Sequence, residues 1–411
     1  MRATRLLQKL LKIEHLTVLD VALEDDGDGQ LLIVSVRARR AQSSRCPHCR
    51  RRRPGYDRGR QARRWRHLDL GGTRCYLQGY VARIDCEVHG VVTEHVPWAR
   101  PAAKMTRAFD DTVAWLAAHS PASAVCEYMR VSWRTVQRIV TRVIADQTGT
   151  RDRLNGLRRI GIDEISYRKG HRYLTVIVDH DTGRLVWARE GATKATLRQF
   201  FDELGPMRSA AITHVSADAG QYIDTVVAER VPEAFRCMDP FHVVQWATRA
   251  VDRCRARVLS RIEGLSSADR KHLRWALLKN PENLTESQQR SRERIIRNRN
   301  NELARAYQLK EELRHIVTGK HRWPWRRLEL WMRKAYNSRI IEMVGLSKAV
   351  QQREIHIYNA VVVGLSNARV EATNTHLRAL TKRAYGFHSP DALIAMATLT
   401  RGGACPTLPQ H

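Results

Sequence analysis

The segment from 158 to 239 most restricts what this chain can fold into. Three β-like runs, at 159–166, 172–179 and 184–190, are separated by the short turns RKG and DHDTG. Short glycine-containing turns between β-branched runs predict antiparallel hairpins. A helical pattern follows at about 194–204, then a strand-like run at 212–218. A second helical pattern at about 221–230 and a short run at 235–239 complete the segment. Alternation of this kind predicts one α/β domain: three antiparallel strands, helix, strand, helix, strand.

That order is the order of an RNase H-like core, and three acids stand at matching places in it. Asp163 ends the first run in RRIGIDEIS, and Asp218 ends the fourth in ITHVSAD. Glu371 falls in the first turns of a helical pattern, SNARVEATNTHLRALTKR. Two acids on strand ends and one on a helix can meet at one sheet edge and hold two divalent cations. Hard oxygen ligands suit Mg²⁺ or Mn²⁺, and a pair of ions about 4 Å apart both activates a nucleophile and stabilises a leaving oxygen in phosphodiester chemistry. Asp163 would then serve both ions, with Asp218 and Glu371 completing one each. Glu164 is the alternative to Asp163. Strand alternation sends the two to opposite faces, and Asp163 is preferred because it is in phase with Gly161 and Ile165. Asp179 and Asp181 read as turn formers. Asp239, in DPFH with His242 one helical turn on, reads as a helix cap or as a neighbour that positions the site.

The N-terminal third carries different chemistry. CPHC at 46–49 is followed by CEVH at 86–89, so Cys46, Cys49, Cys86 and His89 can form a Cys₃His zinc site. Four ligands leave no open position, so the Zn²⁺ is expected to be structural. The competing reading is a pair of buried thiols beside a surface histidine, and His48, Cys75 and His95 are substitute ligands. From Arg45 to Arg66 there are ten Arg against one Asp. Bidentate phosphate contacts explain that imbalance better than a solvated face does, and Arg50, Arg51, Arg52, Arg53, Arg63 and Arg64 are the candidates. Trp65 could stack on a base or pack in a core. Further on, 108–120, 122–129 and 132–145 read as three short helices with Ser132 capping the last. Val136, Ile139, Val140 and Val143 fall on its inner face; Arg134, Gln137, Arg138 and Arg142 fall on its outer face, which suits a DNA major groove.

The balance of 71 Lys+Arg against 42 Asp+Glu gives a net charge of +29. Such self-repulsion is tolerated most easily beside a polyanion, so double-stranded DNA is the expected partner and a basic membrane-surface protein the weaker alternative. No apolar run reaches about 18 residues, so no membrane span is expected. Charges run through the apolar stretch of MRATRLLQKLLKIEHL and no small-residue cleavage site follows, so no secretory signal is expected. A cytoplasmic, nucleoid-associated protein fits these features. Residues 240–360 read as almost entirely helical, and the tail after Arg401 as disordered.

The chain resembles bacterial insertion-sequence transposases of the ISL-three group, in the DDE superfamily. The resemblance runs nearly end to end. It is carried by CPHC with its second knuckle, the helix-turn-helix, GIDEISYRKGHRYLTVIVDHDTG, VSAD followed by Tyr222, MDPFHVV and SNARVEATNTHLRALTKRAYGF. One departure is that the second knuckle, usually CxxC, reads Cys86-x-x-His89 here. The resemblance implies a triad of Asp163, Asp218 and Glu371, with Asp239 and His242 matching the D-x-x-H signature. It also implies that a helical insertion precedes the glutamate helix. Such insertions often supply a base-stacking Trp, for which Trp323, Trp325 and Trp331 are candidates, core packing being the competing role. The domains implied are 1–100 (β and zinc, DNA-binding) and 101–150 (helix-turn-helix). Then come 151–259 (RNase H-like core, first part), 260–362 (α-helical insertion), 363–401 (core helix with Glu371) and the tail 402–411. The activity implied is binding of terminal inverted repeats with cleavage and strand transfer into target DNA, by a homodimer on DNA. A DNA-binding regulator that no longer cuts, and a nuclease that hydrolyses without joining, are the alternatives.

Overall fold

The computed structural model describes residues 3–408 except 28, 60, 151, 262–265, 298–300, 320 and 385. The chain divides into two compact units. One comprises residues 1–153 with 380–411, the other 154–379.

The first unit opens with α1 (Ala3–Leu10), followed by β1 (Leu16–Asp25) and β2 (Gln30–Ala38). Five strands follow: β3 (Gly55–Asp57), β4 (Arg63–Leu70), β5 (Thr73–Gly79), β6 (Arg83–Cys86) and β7 (Gly90–Thr93). They build a four-stranded sheet of order β1-β2-β5-β4 and a three-stranded sheet of order β3-β6-β7. The strand character of 63–79 is hidden in the sequence by arginines, yet Trp65, Cys75 and Leu77 point into one core with Leu16, Val34 and Val36. Trp65 and Trp98 meet edge to face at 5.4 Å, so Trp65 is a core residue and not a base platform. Three helices complete this part: α2 (Arg107–His119), α3 (Ala122–Met129) and α4 (Trp133–Thr150). Thr106 caps α2 by accepting from the Phe109 N–H, and Ser132 accepts from the Thr135 N–H at the start of α4. Val113, Val125, Met129, Val136, Ile139, Val140 and Val143 are all buried.

The second unit contains β8 (Arg159–Arg168), β9 (Arg172–Asp179), β10 (Leu185–Glu190), α5 (Lys194–Leu204) and the short α6 (Pro206–Ser209). After these come β11 (His214–Ala217), α7 (Gln221–Arg230) and β12 (Phe235–Met238). The sheet order is β10-β9-β8-β11-β12. β8, β9 and β10 are antiparallel, whereas β11 runs parallel to both β8 and β12. Each expected strand and helix of 158–239 is present at nearly the expected bounds. In the β9–β10 turn, Asp179 accepts from the Asp181 N–H and the Thr182 hydroxyl, and Gly183 supplies a φ of +73°; both aspartates are turn formers as expected.

A run of helices separates β12 from the glutamate-bearing segment. It comprises α8 (Pro240–Ser260), α9 (Ser267–Leu278), a 3₁₀ turn (Pro281–Asn283), α10 (Glu286–Arg297), α11 (Glu302–Thr318), α12 (Pro324–Tyr336), α13 (Ile341–Gln352) and α14 (Glu354–Val363). These helices share one core that includes Val243, Leu313, Trp331 and Met343. Trp331 is 0% exposed and its indole N–H donates to the Leu309 carbonyl at 2.8 Å. It therefore cannot stack on a base without the core opening, which corrects its candidacy. Trp323 and Trp325 are 66% and 46% exposed.

Last come α15 (Ala368–Arg383) and α16 (Pro390–Arg401). The division between the two units falls within α15, and 380–408 group with the first unit. There α16 packs on α2 and α4, burying Leu393, Met396 and Leu399. The expected disordered tail is also corrected for 402–408. These residues lack regular secondary structure, yet Ala404 is buried. Residues 409–411 lie outside the described residues.

Candidate active site, metal centre and nucleic-acid interface

The two faces of β8 separate its adjacent acids. Ile160 and Ile162 pack with Leu197 and Phe200 of α5 and Ile223 and Val226 of α7. Glu164 shares their phase, and its carboxylate accepts from the Tyr222 hydroxyl of α7. Gly161 is on the other side, where a Cβ would collide with Val370 of α15 and come 2.7 Å from His180 Nε2. Only glycine lets α15 approach this closely. Asp163 shares that phase, and its Oδ2 accepts from Asn374 Nδ2 of α15 at 2.7 Å.

Asp218 stands one residue beyond β11, its Oδ1 accepting from the Gly220 N–H at 3.0 Å. Glu371 is exposed in the first turn of α15. Asp239 caps α8, its Oδ1 accepting from the Phe241 and Asn367 N–H groups, both at 3.3 Å. It is buried, and its Oδ2 has no hydrogen-bond partner among the described residues. Electrostatics link these groups. Burial pushes the Asp163 carboxyl up to about 6, and the charges of Asp218 and Glu164 push the same way against His242. Asp239 is raised by burial, with Asp218 adding to it and His242 opposing. Glu371, although exposed, is raised by partial desolvation, then by Asp239, again with His242 opposing. Asp163, Asp218, Asp239, His242 and Glu371 thus share one field. Acids that repel one another in this way are stabilised by an added cation, and an all-oxygen donor set fits a hard divalent ion. Among the described residues, the three acids of the triad do not come within 4.8 Å of one another as a group.

A buried polar network anchors this arrangement. His180 Nε2 donates to Ser216 Oγ at 2.6 Å, and Ser216 donates to Asn367 Oδ1. Asn367 Nδ2 reaches the Ile162 carbonyl at 3.3 Å, and the Asn367 carbonyl accepts from the Glu371 N–H at 2.8 Å. Burial holds His180 down to about 4, so it stays neutral. Asn367 therefore ties the first turn of α15 to β8 and β11. Sequence reasoning did not single out Asn367 or Asn374. The available signal was spacing, because Asn374 is three residues past Glu371 and so on the same helix face.

At the other candidate centre, Cys46, Cys49, Cys86 and His89 place one ligand atom each within 4.8 Å of the others. His89 Nδ1 lies 3.6 Å from Cys46 Sγ and 3.5 Å from Cys86 Sγ; Cys49 and Cys86 sulfurs are 3.8 Å apart. A tetrahedron with Zn–S of about 2.3 Å and Zn–N of about 2.0 Å has edges of roughly 3.5–3.8 Å. The donor set therefore fits Zn²⁺ with no open position. The substitute ligands do not join it. His48 stacks on the His89 ring, Cys75 is buried in the β-sheet core, and His95 is not among the grouped ligands.

On α4, Arg134 and Arg138 are exposed and Gln137 is half-buried. Arg142 departs from expectation. Its guanidinium turns inward to Asp110, 3.0 and 3.1 Å from the two carboxylate oxygens. Asp110 is fully buried and also faces Arg100 at 3.5 Å; an unpaired charge there would be costly, and Arg142 offsets it. Of the other arginines, Arg53 pairs with Glu87 and Arg64 with Glu24, while Arg50, Arg51, Arg52 and Arg63 are exposed.

A zinc-fitting knuckle, three helices in a helix-turn-helix arrangement and an acid cluster on a mixed sheet define a DNA-binding protein of the transposase class. Three family profiles match the chain. Residues 160–397 match a transposase domain of the ISL3 type, 94–144 the "helix-turn-helix domain of transposase family ISL3", and 42–89 the "zinc-finger of transposase IS204/IS1001/IS1096/IS1165". The chain belongs to the ISL3 family of insertion-sequence transposases. It is 48% identical to the transposase for insertion sequence element IS1557 of Mycobacterium tuberculosis, over 100% of this chain and 98% of that one. It is 26% identical to the transposase for IS1001 of Bordetella parapertussis, over 80% of this chain and 82% of that one. No helix among the described residues is long and apolar enough to cross a membrane.

Proposed function

We propose that this protein is a DDE-type DNA transposase that binds the terminal inverted repeats of its insertion sequence and carries out metal-dependent strand cleavage and strand transfer. The observation that carries the reading is that Asp163 lies in the field of Asp218, while Glu371 is linked to the same field through Asp239 and His242, where β8 and β11 are neighbouring strands of the β10-β9-β8-β11-β12 sheet. Three antiparallel strands followed by two parallel ones is the RNase H-like arrangement, and the helices from 240 to 363 are its insertion. The identity to the IS1557 transposase supports the same function.

Asp163, Asp218 and Glu371 would hold two Mg²⁺ or Mn²⁺ ions. When bound, these supply Lewis acidity at the scissile phosphate. Sharing three acids between two ions suits carboxylates that do not gather round one point. Asn374 orients Asp163, and Asn367 fixes the turn that carries Glu371. The nucleophile is water for nicking and a 3′-hydroxyl for joining. Zn²⁺ on Cys46, Cys49, Cys86 and His89 would hold the knuckle. The exposed arginines of 50–63 and the α4 face of Arg134 and Arg138 would contact the element end. Because two ends must be joined, the active form is a homodimer on DNA, at the nucleoid in the cytoplasm.

A strand-transfer assay tests this against a purely hydrolytic nuclease. Pre-cleaved terminal-repeat DNA, supercoiled target and Mg²⁺ should yield joined product. Asp163→Asn, Asp218→Asn and Glu371→Gln should each lower joining by several orders of magnitude with end binding kept. Joining at wild-type rate in any one would remove that acid from the triad, and nicking without joining would favour the nuclease.

A further inference from the structure

We propose that Arg236 and Arg353, joined through Asp224, form a clamp that sets the position of Asp218 and places it under the control of the helical segment. The proposal rests on reading Asp218 as a metal ligand. Three successive carbonyls around Asp218 are each taken by a guanidinium. Arg236 Nη1 donates to Ala217 O at 3.1 Å, and Arg236 Nη2 donates to Asp218 O. Arg353 Nη2 donates to Ala219 O at 3.0 Å. Asp224, in the first turn of α7, binds both arginines: its Oδ1 accepts from Arg236 Nε at 2.9 Å, and its Oδ2 pairs with Arg353.

The three parts come from three elements. Arg236 is on β12, Asp224 on α7, and Arg353 at the junction of α13 and α14. Arg236 is almost completely buried. A guanidinium out of water needs all its donors answered, and Arg236 spends them on the Asp218 turn, the Cys237 carbonyl and Asp224. Ala219 also packs against the core of the helical segment. A three-residue turn at a sheet end can satisfy its carbonyls with water, and that would leave the Asp218 carboxylate free to swing. A guanidinium N–H fixed on each carbonyl removes that freedom. Buried ion pairs are seldom net stabilising, so the arrangement is better explained by fixed geometry than by added stability. Through Arg353, a shift of α13 or α14 would move the Asp218 ligand. Arg236 and Arg353 are positioning residues, since neither touches the reacting atoms.

The test is a Mn²⁺-binding titration of the full-length protein, read by electron paramagnetic resonance, with wild type, Asp218→Asn, Arg353→Ala and Arg353→Lys. The Asp218→Asn protein identifies the site by losing it. Loss of an outer partner of a metal ligand typically weakens binding about 10–100-fold, and Arg353→Ala is expected in that range with end binding in EDTA unchanged. Arg353→Lys, which keeps the charge but not the fork, should fall between. Wild-type Mn²⁺ affinity in folded Arg353→Ala overturns the clamp. If that protein does not fold, Asp224→Asn and Arg353→Lys carry the test: weakened binding supports the clamp and wild-type affinity overturns it. If wild type binds no Mn²⁺ beyond the Asp218→Asn protein, the metal reading falls and the clamp with it.

Discussion

Single residues show where pattern reading succeeds and where it fails. Asp163 was separable from Glu164 because strand alternation is strict, and the partners Asn374 and Tyr222 lie on opposite faces accordingly. Arg142 was misread because helical phase alone cannot see that the buried Asp110, which Arg100 faces only at 3.5 Å, draws a second guanidinium inward. The two kinds of arginine on α4 should therefore separate experimentally. Arg142→Ala should lower stability by about 3 kcal/mol, toward the lower end for a buried charge losing a partner, since Arg100 remains beside Asp110. Arg134→Ala and Arg138→Ala should change stability by no more than about 0.5 kcal/mol. Each should instead weaken end binding and reduce the salt dependence of that binding by about one phosphate contact. Urea unfolding and salt-dependent binding titrations check both. A stability loss confined to Arg138→Ala, with Arg142→Ala silent, would reverse the assignment.

Whole elements were legible where hydrophobic periodicity was clean. The strands β8, β9 and β10 are joined by short glycine-containing turns and the rest of 159–238 alternates strand with helix, so order and bounds could be read. The β4–β5 pair could not, because RRWRHLDL buries Trp65 and His67 beneath a string of arginines. Nor could the partner of α16, whose burial against α2 and α4 is a long-range contact that no local pattern encodes. The metal knuckle lies between these cases. CxxC and CxxH were visible and pointed to His89, and the gathering of its ring with the three sulfurs supports it over His48 and His95. Cys49→Ser or metal removal by chelator should release one zinc per chain, because a structural site without its metal loses the free energy that holds the turns. Specific end binding should weaken with it. Elemental analysis with binding assays checks this, and a zinc-free preparation that binds the end as tightly as the loaded one would contradict it.

For the whole molecule, the charge of +29 and the three matched domains agree on a DNA partner. The acid cluster opposes that charge locally. Asp163, Asp239 and Glu371 are raised by desolvation and by neighbouring acids, so without cations the cluster would repel the phosphate it is meant to cut. Divalent metal resolves the conflict, and catalysis should therefore be conditional on it. The most direct measurement uses labelled duplex carrying the element's terminal repeat, incubated with wild type or Asp218→Asn in Mg²⁺ or EDTA. Nicking at the repeat end only by wild type in Mg²⁺, with both proteins bound to the duplex, is the expected result. Specific binding with no nicking by wild type in Mg²⁺, or nicking that persists in EDTA or in Asp218→Asn, would contradict it.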